Sequence, residues 1–86
     1  MIVRLLLFAT AREAAGSGHD VFDLDAGATL DRLLALAIDR YGDGFERVLD
    51  TARVWVNGEE PAAAHGKVLR DGDEVAVLPP VSGGHD

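Results

Sequence analysis

A chain of 86 residues has room for one domain, and folding it buries roughly 60% of the surface that its unfolded form exposes. It contains no cysteine, which excludes disulfides, thiolate metal sites and a cysteine nucleophile and is compatible with the reducing cytoplasm. Its formal net charge of -7 sets it against phosphate backbones and anionic lipid. Nucleic acid and membrane surfaces are therefore not expected partners, whereas a basic groove on another protein is.

The first element is the short apolar run Ile2 to Phe8, which reads as a central strand with both faces covered. It is too short for a membrane span, and Arg4 interrupts it with no basic region before it, so a signal peptide is not expected. Thr10 to Ala15 has space for about one turn of helix before Gly16-Ser17-Gly18 breaks it. Asp20 to Asp25 alternates, with Phe22 and Leu24 on one face and Val21, Asp23 and Asp25 on the other, which predicts a strand with one wet side. Leu30, Leu33, Leu34, Ala37, Ile38 and Tyr41 recur at helical spacing; Thr29 is placed to cap that helix, Asp31 to favour its dipole, and Gly42-Asp43-Gly44 to end it.

Phe45 to Leu49 predicts a short further helical turn. Arg53-Val54-Trp55-Val56 is a strand, and Asn57-Gly58 after it is a strong hairpin signal. Lys67-Val68-Leu69 is expected to pair briefly, Asp71-Gly72-Asp73 to turn the chain, and Glu74 to Leu78 to form the last strand. Strands flanking one main helix predict an α+β fold, a mixed four- to five-stranded sheet with the helix across one face. The most apolar strands are the first and last, which places them side by side in the β-grasp arrangement of ubiquitin-like proteins. If Val3, Leu5, Leu7, Val75 and Val77 face the helix, then Leu6, Phe8, Ala76 and Leu78 face outward, either as a partner surface or beneath loops.

Residues 1–78 make the domain, and 79–86 are expected to form a flexible tail. Pro79-Pro80 favours a stiff, extended exit from the last strand. From Pro79 to Gly84 the reach is about 20 Å, at roughly 3.3–3.6 Å per residue, enough to enter a partner's active site. Val81 and Ser82 have little to bury, and Gly83-Gly84 keeps the chain thin and leaves its carbonyls open to attack. A frayed terminus has a similar look.

Two segments carry a resemblance. Phe8-Ala9-Thr10-Ala11-Arg12-Glu13 resembles the Phe-Ala-x-x-Arg-Glu element of the small, sulfur-carrying subunit of molybdopterin synthase, and Asp71 to Gly84 looks like the closing segment of that family. The similarity runs from Met1 to Gly84. It implies a carrier rather than an enzyme, with no permanently bound cofactor. In that family a ubiquitin-activating-like adenylating enzyme uses ATP on the terminal glycine carboxylate, a sulfur donor makes the thiocarboxylate, and the tail enters the large synthase subunit. The resemblance assigns attachment to Gly84 beside Gly83, and partner contact to Phe8, Arg12, Lys67, Leu78, Pro79, Pro80, Val81 and Ser82. Lys67 is the single lysine and resembles one near the docking region of the family.

The chain departs from the pattern by continuing to His85-Asp86, so Gly84 has no free carboxylate as written. Removal by a processing protease is the expected remedy; a working end different from the written one and a lost carrier function are the alternatives. His19, His65 and His85 lack ligand spacing, and no metal site is expected. Ser17 and Ser82 have no paired base, and Asp71 and Asp73 read as turn residues. A carrier serving cysteine, thiamin or another sulfur-containing metabolite is the runner-up, followed by a ubiquitin-like protein modifier and by a plain interaction module.

Overall fold

The computed structural model describes residues 1–62 and 66–80. The elements run β1 (Ile2–Leu7), α1 (Ala9–Ala15), β2 (His19–Asp23), α2 (Leu30–Tyr41), α3 (Asp43–Leu49), β3 (Arg53–Val56) and β4 (Glu74–Leu78). Among the described residues four strands form one mixed sheet in the order β2-β1-β4-β3. The central pair β1 and β4 is parallel, and both outer pairings are antiparallel. This is the expected α+β, ubiquitin-like β-grasp arrangement, with four strands; Lys67-Val68-Leu69 contributes only an isolated bridge, from Val68 to Thr29.

The core follows from the strand period of two and the helical period of 3.6. Val3, Leu5 and Leu7 of β1 and Val75 and Val77 of β4 are buried, and they meet Leu30, Leu33 and Ala37 of α2. Phe22 and Leu24 close one side of this layer, and Leu69 and Val56 the other. Each of the buried Val, Leu and Phe side chains contributes roughly 1.5–3 kcal/mol by leaving water. α2 begins where Thr29 Oγ1 accepts the Arg32 N–H at 3.3 Å, and it stops at Gly42, whose φ is 98°. α3 starts earlier than the apolar pattern suggests, at Asp43 directly after Gly42, and its Phe45 is fully buried, with Tyr41 edge-on at 5.0 Å.

One expectation is corrected. β1 is covered on one face only: its residues alternate, with Ile2 and Arg4 exposed and Leu6 half-buried. The helices all pack on the Val3–Leu5–Leu7 side, so an apolar run that looks two-sided in sequence is one-sided in the fold. β2 also begins one residue before the expected Asp20, at His19, and its ladder ends at Asp23, though Leu24 still bonds to Met1.

The turn Asp71-Gly72-Asp73 lays β4 beside β1. Asp71 Oδ1 accepts the Ile2 N–H at 2.7 Å, Gly72 donates to the Ile2 carbonyl at 2.7 Å, and the Asp73 carbonyl accepts from Arg4 at 2.9 Å. Gly72 has φ 85°, a conformation that costs glycine little and other residues more. Asn57 and Gly58 have φ 52° and 84°, the two positive angles that a tight two-residue hairpin needs. Among the described residues no helix is long and apolar enough to cross a membrane.

Candidate functional site

The candidate site is the sheet face away from the helices. In an alternating strand the residues between the buried ones point outward, here Ile2, Arg4 and Leu6 on β1, Glu74, Ala76 and Leu78 on β4, and Arg53 and Trp55 on β3. Register aligns them. Leu6 lies opposite Ala76, Ala76 opposite Trp55, and His19 opposite Leu6 on the far side. A row therefore crosses all four strands.

Toward β4 and β3 this row opens into a groove of about 580 Å³, made apolar by Leu6, Phe8, Trp55, Ala76, Leu78, Pro79 and Pro80. Phe8 is 43% exposed and Trp55 37%, large aromatic surfaces that a small protein has reason to cover. Phe8 is aimed there by its backbone. Its N–H donates to the Val77 carbonyl at 3.1 Å, its carbonyl accepts from Ala11 and Arg12, and Ala9 follows with φ 51°, turning the chain directly from β1 into α1.

The charges around the groove are paired. Arg4 Nη2 lies 2.9 Å from Glu74 Oε2, and Arg53 Nη1 donates to both Glu60 oxygens at 3.0 and 3.1 Å. The groove is thus close to neutral, and the acidity of the chain lies elsewhere on its surface. All four side chains are partly exposed, so these pairs are easily exchanged for contacts with a partner.

Phe8, Leu78, Pro79 and Pro80, which the sequence singles out, are brought together in this groove. Arg12 and Lys67 do not line it. The Arg12 guanidinium lies over Gly18, where a Cβ would meet its Cζ at 3.5 Å. Lys67 lines a separate depression of about 740 Å³ with Val56, Pro61, Val68 and Arg70, and its carbonyl accepts from Leu30 at 2.8 Å. Val81, Ser82, Gly83, Gly84 and His85-Asp86, and with them most of the expected tail, lie outside the described residues, as does His65. Trp55 is the residue that the sequence reading missed. Its place opposite Ala76 follows only from the β3–β4 pairing, although it is the one tryptophan of the chain.

The charged side chains that line the groove, Arg53 and Glu74, are both held in ion pairs. Among the described residues no group of three or more His, Asp or Glu side chains is placed to hold a metal. Asp73 serves structure. Burial raises its carboxyl, but hydrogen bonds from Asn57 and Arg70 and the nearby Lys67 and Arg70 charges outweigh this and hold it below the usual range. What the arrangement offers is a flat apolar seat, with the last strand of the fold leading straight into Pro79-Pro80.

Residues 5–84 match the ThiS family. The chain is 38% identical over 84 residues to the molybdopterin synthase sulfur carrier subunit of Chlamydomonas reinhardtii, an alignment covering 98% of this chain and all of that protein. It is 44% identical over 86 residues to small archaeal modifier protein 1 of Haloferax volcanii, covering 91% and 95% of the two chains. The crystal structure of SAMP1 from Haloferax volcanii superposes with a TM-score of 0.81 at 37% identity, covering 98% of this chain and 100% of that one.

Proposed function

This chain belongs to the ThiS family, and we propose that it is a sulfur carrier for molybdenum-cofactor biosynthesis. Sulfur would be carried on the Gly84 carbonyl once His85-Asp86 has been removed by a protease. An ATP-dependent adenylating enzyme converts the exposed carboxylate to an acyl-adenylate with release of pyrophosphate. A sulfur donor then displaces AMP and leaves a thiocarboxylate. With no cysteine in the chain, a terminal acyl group is the natural place for it to hold sulfur. The protein is a carrier in this scheme; catalysis belongs to the adenylating enzyme and to the large subunit of molybdopterin synthase.

The observation that carries this reading is the end-to-end similarity to the Chlamydomonas carrier subunit. The groove is in keeping with it. A large subunit seated on Phe8, Trp55 and Leu78 meets Pro79 and Pro80 in the same surface, and the four residues from Val81 to Gly84 extend at most about 14 Å beyond them. The body stays outside while the tail enters. Docking would rest on apolar burial at the groove, with Arg4 and Arg53 free to exchange their own carboxylates for a partner's.

The similarity to small archaeal modifier protein 1 favours a second reading, conjugation of the same glycine to lysines of other proteins. Intact mass separates the two. Purified protein is incubated with the processing protease, the adenylating enzyme, ATP and a sulfide donor. A form ending at Gly84 with one oxygen replaced by sulfur is the expected product. Isopeptide adducts without that form would favour the modifier, and a chain that retains His85-Asp86 under every condition would overturn both.

A further inference from the structure

Among the described residues β2 is an edge strand, with β1 on one side and no strand on the other. Met1 and Leu24 exchange two backbone bonds at 2.7 and 2.8 Å, and Leu7 donates to the Gly18 carbonyl at 2.9 Å. Bonded pairs alternate along an antiparallel ladder, so Phe22 and Asp20 are the bonded partners of Val3 and Leu5. The backbone groups of His19, Val21 and Asp23 therefore point away from β1. An open row of this kind is a template for another strand.

Here the His19 and Val21 groups of the row are taken up by the chain's own side chains. Asp20 Oδ1 accepts the Val21 N–H at 2.8 Å, and Arg40 reaches over from α2 to donate to the Val21 carbonyl at 3.3 Å. Ser17 Oγ donates to the His19 carbonyl at 2.8 Å and accepts its N–H at 3.3 Å. Arg40 is fixed in turn by Asp20 Oδ2 at 2.9 Å and by the Phe22 ring, 4.0 Å below its Cζ. Tyr41 donates to Asp20 Oδ2 at 2.6 Å. The opposite edge is closed by another device: after Asn57-Gly58 the chain folds back on β3, Val56 and Glu59 exchange bonds at 2.8 and 3.1 Å, and Pro61 follows.

What the β2 edge would accept is legible in its own residues. Laid antiparallel about a two-fold axis at Val21, two copies of His19-Asp20-Val21-Phe22-Asp23 place Val21 against Val21, with both N–H groups meeting both carbonyls. The same register sets His19 against Asp23 of the other copy, twice, an opposite-charge match whenever the imidazole is protonated. Val21 is 47% exposed, and two such side chains would cover each other. We propose that β2 is a self-complementary edge held shut. The Asp20–Arg40–Tyr41 cluster and Ser17 deny it to a second copy of the chain and so confine contacts to the open face; removing the cluster turns β2 into a two-fold dimer interface.

Sedimentation velocity over a wide concentration range tests this on the full chain and on Asp20→Ala/Arg40→Ala. The native chain is expected to stay monomeric and the double variant to self-associate at least roughly ten-fold more tightly, with the Val21 amide slow to exchange in the dimer. Adding Val21→Pro removes an outward N–H without touching the β1 ladder and is expected to restore the monomer. Arg40→Gln, which leaves Asp20 bonded to Tyr41, is the milder variant and is expected to shift in the same direction. Folded variants that remain monomeric throughout, or dimers that survive Val21→Pro, would overturn the proposal.

Discussion

Leu6 and Trp55, far apart in the chain, stand on either side of Ala76 in one register row, Leu6 through the parallel β1–β4 ladder and Trp55 through the antiparallel β3–β4 ladder. A small residue flanked by two large apolar ones makes a shallow seat, and Phe8 with Pro79 extends it. The groove is thus assembled from three strands whose pairing also sets where the chain leaves the sheet.

Aromatic anchors at the centre of an interface carry a large share of binding. On the proposed function, Trp55→Ala is therefore expected to weaken binding to a large synthase subunit by roughly 30-fold or more, about 2 kcal/mol. The melting temperature should change little, because Trp55 stands outside the core. Calorimetric titration against that subunit is the check, and unchanged affinity would exclude the groove as the seat.

Asn57 ties the hairpin to β4. Its Nδ2 donates to Asp73 Oδ1 at 2.9 Å, and its Oδ1 accepts the Glu74 N–H at 2.9 Å. Asn57→Ala leaves both groups without that partner and is expected to cost about 1–3 kcal/mol in urea unfolding. The Asp73 carboxyl is held below its ordinary 3.8 in the folded chain. Its contribution is present above that value and is lost as the pH falls through the lower folded one. The stability gap between the native chain and Asp73→Asn should therefore hold at neutral pH and close in acid; a gap that widens there would contradict the assignment.

Tyr41 sets the alkaline limb. Burial, and then its hydrogen bond to the Asp20 carboxylate, raise the phenol well above its ordinary 10.0. A raised folded value stabilises fully below the unfolded one, and that stabilisation is lost as pH rises through the folded one. Unfolding free energy should decline above about pH 10 in the native chain, and less in Tyr41→Phe, which also loses about 1 kcal/mol at neutral pH. Equal alkaline slopes in denaturant titrations would refute this.

Ala9 adopts φ 51° between β1 and α1. A residue with a Cβ pays roughly 1 kcal/mol for that conformation. Ala9→Gly is expected to raise stability by up to about that amount while leaving Phe8 in place. A lower melting temperature would show that the strain is offset by contacts of the Ala9 methyl.

The amino-acid sequence alone determined the element order, the apolar stripe of α2, the hairpin at Asn57-Gly58, the bounds of β3 and β4, and the family resemblance. These features are local: periodicity, caps and turn residues act over a few neighbours, so they can be read without knowing what packs where. Even the central pairing of β1 with β4 was legible, because the most apolar strands need cover on both edges. Which residues of β1 share a face was legible from their alternation, with Val3, Leu5 and Leu7 inward and Leu6 and Phe8 outward; whether that outer face stays open was not, since loops could equally have covered it. Trp55 was missed because its exposure depends on register with Ala76. The seal on β2 was equally hidden, because it brings Asp20 and Val21 to Arg40 and Tyr41 through the packing of α2 against the sheet. Side chains distant in sequence meet only after the core has placed their backbones, so the tertiary structure decided both the open face and the closed edge.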